Sequence, residues 1–486
     1  MIFNNPLIRR YRYSLMRPRQ LWIYLTIFIS IIALLLYVNY TAYEYQGTYG
    51  DATRLFVSLC YQFLILQALL LWIWGAFNSG SAITNEITGN SYDFFRMLPI
   101  SAGKKAAGIL IGKNLIVLLL TLINLILIII FGRIGQVNTS WLGQSLIFLL
   151  SVALLINSVA LLSSIKLTVR KKKNNIATVI LIFFFLGPFI FRTLVSTSRF
   201  SLIREVKANF YIFELPVMIL ISLVAIYFSC WSIIGILRKF NKEDEPLFSR
   251  TGAYLFMLGY EFVLCGILFK ELNEVNGSTQ NIQNAQILNF SYWLISLLPI
   301  LAVPLWSIRS YDNYLEHIGL IQKESVPGKR TMPRMLMYSN LSLGFGLFAI
   351  WVACAIGTTI MMQLSLPSYL YMIFVLFSAY LFLILLLELF VVYNPTSPKM
   401  GIFIAFIAAV YIILPLILSG TLEIDTLLQI SPIGLLFEMF PKQNEEITVL
   451  NHTWIINLLL CIIPALLIFK QYRHIFNTRQ KMKTNI

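Results

Sequence analysis

Apolar residues in this chain come in long unbroken runs, not in the strict alternation of a sheet or the one-sided stripe of a soluble helix. A helix needs roughly 20 apolar residues, at about 1.5 Å each, to cross about 30 Å of hydrocarbon. On that rule the pattern predicts an all-α polytopic membrane protein with about twelve transmembrane helices. The first six fall near 21–40, 55–77, 109–131, 142–164, 176–191 and 215–237. The second six fall near 252–269, 288–308, 341–362, 369–391, 400–419 and 453–470. Gly187-Pro188 interrupts the fifth and Arg192 ends it. Before the first span, residues 1–20 read as a cytoplasmic amphipathic interface helix. Pro6 suits a first turn, and Leu7, Ile8, Tyr11 and Leu15 share a face. Five arginines precede that span with no small-residue cleavage site behind it, so it is not read as a removable signal.

Composition agrees. Hydrophobic residues make up 58% of the 486 and charged residues only 12%, with mean hydropathy +0.78. A soluble domain carries about a quarter charged residues, so soluble, secreted and disordered classes drop out. The net charge of +16 does not point to nucleic acid, because basic residues on a membrane protein report orientation. With a cytoplasmic N-terminus, 29 of the 37 Lys and Arg fall in inner segments and 8 in outer ones. Both termini are therefore expected in the cytoplasm of a multi-pass protein of the cell membrane. The N-terminal arginines are expected beside anionic lipid headgroups. Cys60, Cys230, Cys265, Cys354 and Cys461 sit in apolar stretches without a CxxC pair, and His317, His452 and His474 are far apart. Metal sites and disulfides are not expected.

The spans divide into two sixes. Residues 21–237 form the first half, the polar stretch 238–251 a cytoplasmic connector, 252–470 the second half and 471–486 a basic tail. In each half a long inner loop follows the second span (78–108 and 309–340), and a long outer segment follows the fifth (192–214 and 420–452). Gly103-Lys104-Lys105 before Asn114-Leu115 is echoed by Gly328-Lys329-Arg330 before Asn340-Leu341.

The first inner loop carries Glu86, Gly89, Phe94, Phe95, Leu98, Pro99, Ile100, Ser101, Gly112 and Lys113. In these residues the chain resembles the permease subunits of the ABC type-2 exporter family. That family has an acidic residue with a Gly three later, an amphipathic stretch, a Pro-apolar-Ser step, and a Gly-Lys pair opening the third span. Two departures stand out: Gly89 to Pro99 is one residue longer than usual, and Ser91 stands two places after Gly89 where a Thr is normally adjacent. The second inner loop keeps Gly328-Lys329-Arg330 but lacks the other elements.

The resemblance implies a transport subunit, not an enzyme. Asp93, Phe94, Phe95, Met97 and Leu98 would form a short coupling helix docked in a groove of a soluble ATP-binding subunit, expected in two copies. Glu86, Arg96, Lys104 and Lys105 would flank that contact with charge, and Gly328, Lys329 and Arg330 would serve the second half. ATP and Mg are expected on the partner, with no cofactor on this chain. A P-loop needs G-x-x-x-x-G-K-[ST] to cradle phosphate; Gly108 to Asn114 is one residue short and has Asn in place of the hydroxyl, so it reads as helix packing. The family's segment between fifth and sixth spans re-enters the outer leaflet as short helices. The apolar stretch 427–437 is compatible with that, and its counterpart 192–214 holds four outer cations. Arg192, Arg199, Arg204 and Lys207 either anchor interfacial helices or receive the anionic head of a substrate. The alternative function is an ion- or proton-coupled secondary transporter, which needs ionisable groups inside the membrane; Glu261 and Glu388 are the acids placed for it.

Overall fold

The computed structural model describes residues 5–45, 52–91, 97–168, 207–241, 246–273, 340–361, 366–393 and 453–484, with 288–289, 291–293, 295–300 and 302–304. Spans expected at 176–191 and 400–419, the loop 309–339 and the segment 427–437 lie outside these residues. Eight described helices are long and apolar enough to cross a membrane, and the chain is a polytopic helical membrane protein. Two shorter apolar helices, Ser291–Pro304 and Asn457–Gln471, fall where further spans are expected. The chain divides into two compact units, Met1–Leu247 and Phe248–Ile486, inside the polar connector.

In the first unit, α1 (Pro6–Leu15) starts where Asn5 caps it, its side-chain oxygen accepting from the Leu7 N–H at 3.0 Å. The chain turns at Met16-Arg17 into α2 (Pro18–Tyr45), whose Trp22, Ile27, Leu34 and Val38 face outward. A continuous helical stretch follows, of which Thr53–Thr88, 36 residues, is long and apolar enough to cross a membrane. It comprises α3 (Ala52–Ala68), a π-helical turn Leu69–Trp74, and α4 (Gly75–Thr88). The amphipathic α5 (Ala102–Gly112) begins at Ser101, which accepts from the Lys104 N–H. Lys113-Asn114 separates it from α6 (Leu115–Ile134). The third span therefore starts at Leu115, not near 109, because the Gly108–Gly112 stretch packs against α1. α7 (Thr139–Thr168) packs along α4 and along α8 (Val217–Asn241). Before α8, strands β1 (Lys207–Phe210) and β2 (Phe213–Pro216) pair antiparallel, Lys207 opposite Pro216 and Phe210 opposite Phe213. This corrects the expectation of interfacial helices here: Tyr211 takes a positive φ of 53° and turns the chain back on itself.

Polar groups along the α3–α4 helical stretch bind α2, α6 and α7 in turn. Gln62 and Ser58 bond Asn39 of α2. Gln67 accepts from Asn124 of α6 at 2.8 Å. The π-helical turn shifts the backbone pairing from i+4 to i+5, and Asn157 of α7 donates to the Leu71 carbonyl at 3.2 Å. The Trp72 indole N–H reaches Leu149 O at 3.0 Å. Lower down, Asn114 donates to Ser79 Oγ, and Ser79 donates to Asn157 Oδ1 at 3.1 Å. Lipid tails give helices no hydrophobic reason to associate, so such hydrogen bonds and close packing hold the bundle.

The second unit contains α9 (Arg250–Asn273), the helix Ser291–Pro304, α10 (Asn340–Met361), α11 (Leu366–Tyr393) and α12 (Thr453–Thr484). Its interior is aromatic. Trp293, Trp351 and Tyr292 are fully buried, and Trp293 and Trp351 meet edge-on with centroids 5.5 Å apart.

Candidate functional site

The first unit concentrates its charged chemistry where α4 ends. Glu86 is 4% exposed, one turn from the end of that helix. Gly89 caps α4, Asn90 takes a positive φ of 52°, and the reversal carries Ser91 back to Glu86. The Ser91 N–H donates to the Glu86 backbone oxygen at 2.9 Å, and its hydroxyl to Glu86 Oε2 at 2.5 Å. From α1, Arg10 Nη2 donates to the same oxygen at 2.9 Å, and the Tyr11 hydroxyl donates to Oε1 at 3.0 Å. A carboxylate with three charge-assisted bonds is well compensated for its burial.

The rest of α1 is fitted to α5. Leu7, Ile8 and Tyr11, the face expected from periodicity, are buried. They face protein, leaving Arg9, Arg10 and Arg12 exposed on the outer side. Asn5 Nδ2 donates to the Lys104 carbonyl at 2.6 Å. Gly108 and Gly112 let the helices touch: a Cβ on Gly108 would lie 2.8 Å from Leu7 Cβ, and one on Gly112 would lie 2.5 Å from Tyr11 Cδ2. Helix packing, not phosphate binding, is thus what this Gly-rich stretch does here. Lys113 Nζ sits 4.9 Å from the Tyr11 ring centroid, a cation–π contact. Burial, seconded by the Glu86 charge, pushes the Tyr11 phenol well above its ordinary pKa. Burial holds the Lys113 ammonium below the ordinary lysine value, against the opposing pull of Glu86.

Beside this clasp the residues from Leu98 to Ser101 alternate in exposure around a tight turn at Pro99, where the Ile100 N–H donates to the Leu98 carbonyl at 2.8 Å. Leu98 and Ile100 pack onto the cluster of Leu7, Tyr11, Ile83 and Ile109. Met97 is 81% exposed, and Pro99, Ser101, Gly103 and Lys104 are exposed as well.

Glu86 therefore does not present its charge at the surface: both of its oxygens are engaged within the chain. Lys105 is likewise buried, at 7% exposed. Gly89, Pro99, Ser101 and Lys104 do lie on the exposed side. Phe94, Phe95, Arg96, Gly328, Lys329 and Arg330 lie outside the described residues, as do Arg192, Arg199 and Arg204. Lys207 faces Glu214 across the hairpin at 3.6 Å, both side chains more than half exposed. Glu261 and Glu388 are buried at 2% and 1%. The structure does not pair them; the hydrogen-bond partner of Glu261 is Tyr292. Reading the sequence missed Arg10, Tyr11 and Ser91 as partners of Glu86, because 75 residues separate Tyr11 from Glu86. Ser91 alone left a signal, as the departure that follows Gly89.

Among the described residues, no group of three His, Cys, Asp or Glu is placed to hold a metal ion. Comparison with protein-family models, with curated proteins and with solved structures finds no match to this chain.

Proposed function

We propose that the chain is the membrane-spanning permease of an ATP-driven exporter of the ABC type-2 kind, taking its force from a separate ATP-hydrolysing subunit. The observation that carries this reading is the Glu86 clasp. It ties the N-terminal helix, the end of the 36-residue second span and the 97–112 strap together at one place. Packed interiors transmit displacement instead of absorbing it. A push on exposed Met97, Pro99 or Lys104 would therefore move α4 and α1 together. Apolar Met97 flanked by Lys104 suits a groove with an acidic rim on the partner, and the resemblance in Glu86, Gly89, Pro99 and Ser101 supports the same assignment. ATP and Mg would belong to the partner, expected in two copies, and this chain would form the substrate path. Both termini would be cytoplasmic.

The test is purification in gentle detergent, identification of what accompanies the chain, and assay of ATP hydrolysis. A soluble P-loop ATPase is expected to co-purify with wild type, to be lost with Met97→Asp plus Lys104→Glu, and to be retained with Lys207→Ala. A chain that purifies alone, or an ATPase indifferent to the 97–104 surface, overturns the reading.

A further inference from the structure

Midway along α9, Glu261 is 2% exposed and has a single hydrogen-bond donor: the Tyr292 hydroxyl, 2.5 Å from Oε2. Oε1 is buried with no hydrogen-bond partner. The titratable groups around this carboxyl are Tyr260 and Cys265 of α9 itself, Tyr292 of the adjoining helix and Cys354 of α10. No lysine, arginine or histidine among the described residues pairs with it. An ionised carboxylate in such a place requires a cation or several donors. A neutral carboxylic acid is far less costly there: one oxygen accepts from the phenol and the other holds a hydrogen.

The surroundings differ at the two ends. One turn from Tyr292 lies Asn289, and one turn from Cys354 lie Thr358 and Thr359. Thr358 Oγ1 donates to Asn289 Oδ1 at 3.2 Å, and Asn289 Nδ2 donates to Thr359 Oγ1 at 3.3 Å. Toward the opposite end, Trp293 and Trp351 close the bundle edge to face, the Trp351 N–H is spent on Ser296 Oγ at 2.7 Å, and Phe348 stacks on Tyr380. The next turn beyond Tyr292 and Cys354 is thus polar on the Asn289–Thr358 side and aromatic on the other.

The phenol's one hydrogen goes to Glu261, so the 3.4 Å contact between Cys265 Sγ and Tyr292 Oη has the thiol as donor. Thiol, phenol and carboxyl form a line of exchangeable hydrogens. Among the described residues no group of three His, Cys, Asp or Glu is placed to hold a metal ion, whereas a proton needs neither a cavity nor further ligands.

We propose that Glu261, with Tyr292, is a proton-binding site inside the second unit, loaded and unloaded from the Asn289–Thr358 end and sealed at the other by Trp293 and Trp351. The step is the reversible association of one proton with the Glu261 carboxylate, with no redox change. The site requires no partner subunit, and it differs from a two-acid relay because Glu388 takes no part.

The test uses the full chain in lipid nanodiscs, labelled with 13C-carboxyl glutamate, and infrared difference spectra across pH. A protonated carboxyl band is expected at neutral pH, lost in Glu261→Gln, kept in Glu388→Gln and shifted in Tyr292→Phe. It should convert reversibly to carboxylate as pH rises. After a pH jump, Thr358→Val should slow the conversion and Trp351→Phe should leave its rate unchanged. A Glu261 that is already carboxylate at neutral pH, or a band that never responds to pH, overturns the site and leaves a structural hydrogen bond. The reverse pattern in the two rate variants overturns the access route. Should Glu261→Gln fail to fold, the Tyr292→Phe shift decides: a glutamate spectrum unmoved by that change also overturns the site.

Discussion

The Tyr11 hydroxyl donates to Glu86 Oε1 at 3.0 Å, while the ring of the same tyrosine fills the space over Gly112. One side chain thus joins three helices: α1, which carries it, α4, which supplies the acid, and α5, which supplies the gap. The bond and the packing share one rotamer, so losing either weakens the other. Tyr11→Phe should cost about 1.5–3 kcal/mol, the range for a hydrogen bond to a charged group, and Glu86→Gln at least as much. The pair should cost clearly less than the sum, because residues in contact are not additive. Hydrogen exchange over residues 6–15 reads this directly; strictly additive protection losses would mean that the two residues act separately.

Gly112→Ala tests the packing without touching the acid. Its methyl group would meet Tyr11 Cδ2 at 2.5 Å, and overpacking of this kind costs about 1–3 kcal/mol. Faster exchange is expected in α1 and the start of α5, with α6 and α7 unchanged. Gly143, whose added Cβ would meet nothing within 4 Å, should accept Ala with no change in either region, and serves as the control.

The long apolar runs announced the spans because hydrocarbon thickness fixes their length, and Pro6 with Leu7, Ile8 and Tyr11 announced α1 because a short helix needs a one-sided face. The same hydrophobicity hid the rest. A helix apolar all round has no stripe to show which neighbour it meets, so the roles of Asn124, Asn157 and Gln67 could not be read. The π-helical turn at Leu69–Trp74 is six consecutive apolar residues, with no change of period to mark it. The clasp was half legible: Glu86 drew attention through the family resemblance, as a charge flanking the coupling contact, but partners 75 and 76 residues away leave no local trace. The hairpin at Lys207–Pro216 had no Asn-Gly or Asp-Gly signal; Tyr211-Ile212 makes its turn.

Asn157→Leu should expose the cost of that hidden network. It removes the donor to the Leu71 carbonyl and the acceptor for Ser79. Interhelical hydrogen bonds in membranes contribute about 0.6 kcal/mol on average and at most about 1.7, and losing both directions at once should approach the upper figure. Thermal unfolding in detergent checks the loss. Ser140→Ala, which removes an exposed hydroxyl near the α7 start bonded to Gln144, should change stability by less than about 0.5 kcal/mol.

The hairpin ion pair should count for little. Lys207 and Glu214 are 3.6 Å apart with side chains 56% and 60% exposed, and exposed pairs contribute about 0–1 kcal/mol, less in salt. Lys207→Ala should leave unfolding unchanged at physiological salt. A marked loss of stability would mean that the hairpin is buried against something in the membrane.

Orientation is open to a direct check. α2 has 28 residues, so its ends lie roughly 40 Å apart and must emerge on opposite sides of a bilayer. Tyr13 and Ser101 are exposed near its start, and Gln136 and Ile212 lie in turns expected near its far end. The excess of Lys and Arg in segments on the Tyr13 side predicts that this side is cytoplasmic. After the five native cysteines are replaced by Ser or Ala, a membrane-impermeant thiol reagent applied outside intact cells should label Gln136→Cys and Ile212→Cys. It should reach Tyr13→Cys and Ser101→Cys only once the membrane is opened. Labelling of Tyr13→Cys from outside would invert the chain, placing the Glu86 clasp beyond the reach of any cytoplasmic ATPase and removing the proposed coupling.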